Sequence, residues 1–407
     1  MNNTPLGNRL HISIFGRRNA GKSSLINALT GQNIAVVSDV PGTTTDPVYK
    51  TMEILPIGPV VIIDTAGLDD EGHLGQLRIE KTYEVLRKSD VAIVVISAED
   101  GLTDFEPDFV KKLKGRDITA VGVVNKLDLK RVSEEEIKGY SAKLGIPVAG
   151  VSARTKEGIE ALKALIIENS RHDKTELSLV GDLISPGDFV VLVTPIDKAA
   201  PKGRLILPQQ QTIRDIIESD AIAVITKEHE LKETLRNLVR KPSLVITDSQ
   251  AFLKVSADTP EDVPLTSFSI LFARQKGELP EMVKGLKKIE SLKSGSRVLI
   301  VEGCTHHRQA DDIGKVKIPR WIRQIAGGDI EFEWASGTYF PEEIEKFDAI
   351  IHCGGCMLNQ KEMQYRIDTA RDKNVAITNY GMLIAYVQGI LERALKPFPA
   401  AFMALEE

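Results

Sequence analysis

Gly16-Arg17-Arg18-Asn19-Ala20-Gly21-Lys22-Ser23 follows an alternating apolar run, Leu10 to Phe15, and precedes a helical pattern, Ser24 to Leu29. The spacing G-x-x-x-x-G-K-S between a strand and a helix is that of a phosphate-binding loop. Successive backbone N–H groups of such a loop point inward, and the helix N-terminus adds positive dipole. Ala20, Gly21, Lys22, Ser23 and Ser24 therefore form the expected phosphate cradle. Lys22 is placed to meet the β and γ phosphates, and the Ser23 hydroxyl to bind Mg²⁺. A chance glycine-rich turn has no reason to fall between these two elements, so this stretch fixes an α/β fold built on a sheet.

Further motifs follow in the order such a fold requires. The strand-like Val60 to Ile63 ends in Asp64-Thr65-Ala66-Gly67, whose Asp can hold Mg²⁺ through water and whose Gly67 N–H can sense a γ-phosphate. Ala120 to Val124 ends in Asn125-Lys126-Leu127-Asp128. A carboxylate at Asp128 accepts two hydrogen bonds from guanine that adenine cannot supply, which selects GTP/GDP. Val151-Ser152-Ala153 closes the series at a fourth strand end, where Ser152 and Ala153 would meet the base. The reading is a GTPase with Lys22, Asp64 and Gly67 as its catalytic candidates.

The first domain resembles the bacterial GTPases of the Era and TrmE type. Val40-Pro41-Gly42-Thr43-Thr44-Thr45-Asp46 is similar to their switch I, where Thr44 or a neighbour closes on Mg²⁺. Asn19 matches the position that helps coordinate K⁺ in the potassium-activated members. The plainer alternative is that Asn19 only caps the loop. Leu68 stands where Ras-like proteins carry a water-positioning Gln, and an apolar side chain cannot orient water. The resemblance thus implies slow turnover with K⁺ neutralising the charge that develops in phosphoryl transfer. Asp69 to Lys88, acidic and then amphipathic, is expected to be switch II and its helix.

Beyond a polar linker, Asn169 to Leu183, the chain alternates again. Phe189 to Val193, Ala221 to Thr226 and Leu244 to Thr247 read as strands, with helices over 211–219 and 230–239 between them. This βαβαβ pattern predicts a small parallel sheet with exposed edges, which pairing with a second copy would hide. A homodimer through this domain is the expectation. Gln209-Gln210-Gln211 opens its first helix and reads as a hydrogen-bonded turn rather than a binding site.

The last third predicts strands over 297–301, 330–334, 349–351 and 375–378, with helices over 279–292, 318–325, 362–371 and 382–394. All three cysteines of the chain lie here, at the ends of two of these strands. They are Cys304-Thr305-His306 and His352-Cys353-Gly354-Gly355-Cys356. Open parallel sheets bind ligands at the carboxyl ends of their strands. Three thiols converging there with imidazoles nearby suit an iron–sulfur cluster or zinc. Adjacent residues of an extended chain point opposite ways, so His352 and Cys353 should not both ligate easily. Cys353 and Cys356 are the better pair, with His306 or His352 in the fourth position, or that position left exchangeable. Asn379-Tyr380-Gly381 reaches the same edge, either lining the pocket or starting a helix.

The chain has 407 residues, too many for one core. A net charge of −5 offers no global basic field, which weakens RNA or DNA as the main partner. No apolar run approaches the roughly 18 to 20 residues needed to span a bilayer, and Met1 to Arg9 lacks a signal-peptide pattern. Three cysteines without an evident pairing suit a reducing, cytoplasmic location.

The combination of Cys304-x-His306, a long gap and His352-Cys353-x-x-Cys356 behind an Era-like GTPase resembles the [FeFe]-hydrogenase maturation GTPase family (HydF). The resemblance spans essentially the whole chain. It implies three domains: a P-loop GTPase over 1–172, a small parallel α/β dimerisation domain over 180–262, and an α/β iron–sulfur cluster-binding domain over 263–407. It also implies a scaffold that holds a [4Fe–4S] cluster and a di-iron precursor and delivers the latter to apo-[FeFe]-hydrogenase. Two radical-SAM maturases would make its parts. The competing reading is a ribosome- or tRNA-associated GTPase with a structural zinc site. A redox dithiol of Cys353 and Cys356 ranks third, because it leaves Cys304 unused.

Overall fold

A computed structural model of the chain describes residues 6–31, 47–65, 81–170, 177–195, 205–303, 312–337 and 339–406. The chain divides into two compact units, 1–174 and 175–407, and the division falls inside the polar linker.

The first unit is built on six strands: β1 (Leu10–Gly16), β2 (Val48–Ile54), β3 (Gly58–Asp64), β4 (Val91–Ser97), β5 (Thr119–Asn125) and β6 (Val148–Gly150). Their order is β2-β3-β1-β4-β5-β6, parallel except for β2, which runs antiparallel to β3. Strand periodicity sorts the apolar residues onto two faces. Ile12, Ile14, Val60, Ile62, Val91, Ile93 and Val95 enter one core, and Phe15, Val61, Ile63, Ala92, Val94 and Ile96 the other. Helices cover these faces: α1 (Lys22–Thr30), α2 (Phe105–Lys114), α3 (Glu134–Leu144) and α4 (Ile159–Ser170). The chain leaves β1 for β3 on one side and β4 on the other, so strand order reverses at β1. That reversal opens the crevice at the carboxyl end of β1, where the glycine-rich loop sits.

The second unit holds two parallel four-stranded sheets. One contains β7 (Phe189–Val193), β8 (Ile222–Thr226), β9 (Leu244–Thr247) and β10 (Leu265–Ser267), in the order β10-β9-β7-β8. The other contains β11 (Arg297–Glu302), β12 (Glu331–Ser336), β13 (Ala349–His352) and β14 (Ala376–Asn379), in the order β12-β11-β13-β14. The sequence pattern gave three strands to the first of these sheets. The fourth, β10, pairs with β9 and lies beyond residue 262, where the third domain was expected to begin. Three residues are too few to show alternation. One hydrophobic core runs from Val190 and Val245 through Phe268 and Met282 to Ile300 and Ile350, so the two sheets share an interior.

The helix expected over 382–394 is two helices, Tyr380–Val387 and Leu391–Leu395. Gly389 between them is left-handed, with φ of 70°, which breaks the helical path. A third helix, Pro399–Glu406, follows. Among the described residues, no helix is long and apolar enough to cross a membrane.

Candidate nucleotide site and cysteine centre

The carboxyl ends of β1, β3, β5 and β6 bring four of the sequence motifs together. Lys22 is buried at the start of α1 and donates to the carbonyls of Gly16 (2.9 Å) and Arg17 (2.8 Å), so the loop curls around its ammonium. Gly21 is left-handed, with φ of 89°, and a Cβ there would lie 2.3 Å from the Asn125 carboxamide. Only glycine fits on both counts. The Asn125 amide donates to the Ala20 (3.1 Å) and Gly21 (3.3 Å) carbonyls, and its oxygen accepts from Ala153 N–H (3.0 Å). Asn125 therefore ties the phosphate loop to the base-side loop. Asn19 is exposed and left-handed, with φ of 62°.

The Ser23 hydroxyl donates to one Asp64 oxygen at 2.8 Å, while the other oxygen is buried without a hydrogen-bond partner. Burial pushes the Asp64 carboxyl above its ordinary range, against the pull of Ser23 and Lys22. A buried, half-satisfied carboxylate beside a serine hydroxyl is a hard-oxygen pair of the kind Mg²⁺ takes, directly or through water. At the base side, the Ser152 hydroxyl donates to Asp128 at 2.7 Å and holds that carboxyl below its ordinary range. Lys126 is left-handed, with φ of 69°, and pairs with Glu99 at 2.8 Å. Ser24 lies in the first turn of α1. Thr44, Gly67 and Leu68, with switch I and the start of switch II, lie outside the described residues.

The second site forms at the carboxyl ends of β11 and β13. The turn after β13 carries Cys353 and Cys356, both free thiols with part of their surface open. Gly355 between them is left-handed, with φ of 62°, which reverses the chain so that the second cysteine returns toward the first. Cys353 Sγ accepts the N–H groups of Gly303 (3.0 Å) and Gly355 (3.4 Å). The surrounding protein raises both thiols above their usual range, and the two N–H donors pull Cys353 back down. Amide donors on sulfur are what a thiolate ligand needs. Cys304 and His306 lie outside the described residues, although Gly303, beside Cys304, touches Cys353 Sγ.

His352 is not available as the fourth ligand in this arrangement. It is fully buried, with Nδ1 2.7 Å from the Cys353 carbonyl and Nε2 2.9 Å from Arg366 Nη1. Arg366 can only donate, so Nε2 accepts and Nδ1 carries the proton. Both nitrogens are engaged, and burial beside Arg366 lowers the pKa to about 3. Asn379 caps the helix Tyr380–Val387 by accepting from Met382 N–H (2.8 Å) and donates to the Ser269 carbonyl (2.9 Å), so the helix-start reading holds for it. Tyr380 is buried and its hydroxyl donates to Glu302 at 3.4 Å.

Two supporting cations escaped the sequence reading. Arg366 is fully buried on the helix Gln360–Asp372 (α11 below), paired with Glu362 at 2.9 Å and bonded to the Gly337 carbonyl at 3.0 Å. Lys276 is buried and reaches the turn between the cysteines and α11. Glu362 and Arg366 have i,i+4 spacing, which normally marks a solvated helix face. The apolar neighbours Met363 and Ile367 were the available sign of burial.

Three domain families match the chain in succession. The 50S ribosome-binding GTPase family matches residues 11–126, the hydrogen maturase F dimerization domain 179–277, and the hydrogen maturase F tetramerization domain 280–397. Over 160 residues the chain is 38% identical to the tRNA modification GTPase MnmE of Chromobacterium violaceum, a match covering 39% of this chain and 34% of that protein. The MnmE of Geobacillus kaustophilus is 35% identical over 157 residues, covering 38% and 33%. The chain thus spans about a third of the length of these relatives. Among solved structures, a variant of Aquifex aeolicus Era bound to GDP.AlF4- aligns with TM-score 0.37 and 17% identity, covering 61% of this chain and 99% of that one. The FeoB G-domain of Methanococcus jannaschii aligns with TM-score 0.32 and 24% identity, covering 40% and 99%. With both hydrogen maturase F domains following a GTPase domain of the Era/TrmE type, the chain belongs to the hydrogen maturase F family.

Proposed function

We propose that this chain is a GTP-hydrolysing scaffold that holds a [4Fe–4S] cluster on Cys304, Cys353 and Cys356, carries a di-iron precursor beside it, and delivers that precursor to apo-[FeFe]-hydrogenase. The observation that carries the reading is Cys353 Sγ receiving two backbone N–H groups at a strand-end edge that also leads into Cys304. When bound, the cluster supplies an iron site with a soft, exchangeable position. The chain's own residues fix the turn, direct N–H groups at sulfur and keep His352 turned away, which leaves His306 or an exchangeable ligand for the fourth position. Two radical-SAM maturases are the partners that would make the precursor.

In the GTPase unit, Lys22 exchanges its loop carbonyls for β and γ phosphate oxygens. Ser23 and Asp64 hold Mg²⁺, Thr44 closes on it, Gly67 senses the γ-phosphate, and Asp128 with Ser152 and Ala153 reads guanine. Asn19, exposed in the loop, holds K⁺, which accelerates an otherwise slow hydrolysis. GTP state then governs partner exchange rather than chemistry at the metal. Oligomerisation accompanies this role. β8, an edge strand, exposes Ile222 and Ile225, and the same unit exposes Ile217, which supports dimerisation through that edge.

Iron, sulfide and zinc content with EPR, on protein purified and reconstituted without oxygen, tests the reading. A reducible [4Fe–4S] signal lost in C304A, C353A or C356A is the expected result. Stoichiometric zinc without bound sulfide overturns it in favour of a structural site.

A further inference from the structure

Ser97-Ala98-Glu99-Asp100-Gly101 runs on from the end of β4 and belongs to none of the four nucleotide motifs. The sheet nevertheless sets it beside one of them. Ser97 and Asn125 end β4 and β5 in register, and Ala98 N–H donates to the Asn125 carbonyl at 2.9 Å. Gly101, left-handed with φ of 69°, closes the loop by donating to the Ser97 carbonyl at 2.9 Å. Glu99 is exposed on this loop and meets two lysines of the base-side turn. Its carboxylate accepts from Lys126 at 2.8 Å, and its carbonyl accepts from Lys130 at 3.4 Å.

The Lys126 side chain is thereby fixed at both ends. At its root, φ of 69° is a conformation that a lysine rarely adopts, and the turn holds it there. The Lys126 carbonyl accepts the N–H groups of Leu129 (2.9 Å) and Lys130 (3.2 Å). At its tip, the ammonium is paired with Glu99. A lysine loses more rotamer freedom than most side chains when it is ordered. Ordering it before the nucleotide arrives removes that cost from binding. A partly exposed ion pair adds little to folding, so the effect of this one falls on binding.

We infer that Glu99 is a positioning residue of the base site: it holds the Lys126 ammonium so that the lysine's methylenes stand extended as a wall of the guanine slot. Lys126 lies between Asn125, which ties the phosphate loop to the base side, and Asp128, which Ser152 holds. An aliphatic stem with its charge held outward covers an apolar face, here that of a purine ring. The inference rests on the reading of Asp128, Ser152 and Ala153 as the guanine site.

The test titrates full-length wild type, E99A, K126M and the double variant with GDP and with a non-hydrolysable GTP analogue, by calorimetry. E99A should bind both about fivefold more weakly than wild type, and by the same factor, because the base and not the phosphates is touched. In K126M no ammonium is left to hold, so adding E99A should cost nothing further. In about 1 M salt, where the Debye length is about 3 Å, the gap between wild type and E99A should shrink. E99A binding as tightly as wild type, or more tightly, overturns the inference, since the pair would then be idle or would hold Lys126 away from the nucleotide. An equal loss in the K126M background overturns it too, because Glu99 would then act through its loop. Titration of wild type with ADP separates the two readings. ADP bound as tightly as GDP defeats the guanine-site reading and this inference with it. Guanine selectivity with no E99A effect defeats the role of Glu99 alone.

Discussion

Lys22 and Lys276 are both buried lysines that donate to backbone carbonyls, yet they reach their partners by opposite routes. Lys22 bonds carbonyls five and six residues back, within one loop. Lys276 bonds carbonyls 79 to 82 residues ahead, across two sheets. The phosphate site is a local conformation, a curl of backbone that one eight-residue motif can specify. The cysteine turn is a tertiary construction, in which Cys353 Sγ meets backbone from the ends of two strands and the supporting charges come from two helices elsewhere. A mutation should therefore cost binding at the first site and folding at the second.

The largest effect should come from Arg366. Replacing it with Met leaves Glu362 buried without its cation and His352 Nε2 without its donor. Removing one partner of a buried pair costs about 3–5 kcal/mol. The two tryptophans of the chain, Trp321 and Trp334, both lie in the second unit, so their fluorescence in a urea titration reports that unit alone. A midpoint unchanged from wild type would break the comparison, because the buried charges would then be incidental to the fold.

At the phosphate loop, K22A should behave the other way. Losing two charge-assisted contacts to phosphate oxygens should weaken GTP binding roughly 100-fold, about 2.7 kcal/mol, by calorimetric titration. The melting transition of the GTPase unit should move little. A variant that unfolded instead would mean that the loop carbonyls depend on Lys22 for their fold.

The same contrast explains what could be read in advance. Gly21, Lys22, Ser23, Asp64, Asn125, Asp128, Ser152 and Ala153 follow strand ends at fixed local spacing, and a local conformation writes itself into neighbouring letters. Cys353 and Cys356 were legible for the same reason, since they too sit just past a strand. Arg366 and Lys276 were harder to read, because a charged letter on a helix ordinarily marks a solvated face and only apolar neighbours such as Met363 and Ile367 signalled the burial. β10 was too short to announce itself, and the break at Gly389 sat inside an otherwise continuous apolar pattern. Strand β4 (Val91–Ser97) has every residue buried and so shows no alternation.

Asp64 gives the smallest effect and the sharpest sign. One of its oxygens is buried without a partner, and burial raises its pKa above that of the unfolded chain. A raised folded pKa means that the folded unit binds the proton more tightly. The favourable contribution is full below the unfolded pKa of about 3.9 and is lost as pH rises through the folded value. At pH 7 without nucleotide, the ionised carboxylate therefore weakens the fold. D64N keeps an acceptor for Ser23 without the charge, so it should be the more stable protein there by about 1 kcal/mol, the low end of the cost of an unsatisfied buried group. Scanning calorimetry should show that advantage shrinking as pH falls toward 4. With Mg²⁺ and GTP present the order should reverse, because the cation satisfies the carboxylate and gains nothing from the amide. If D64N were no more stable without nucleotide, Asp64 would already be fully satisfied by the protein, and the nucleotide site would hold its charges as the cysteine centre does.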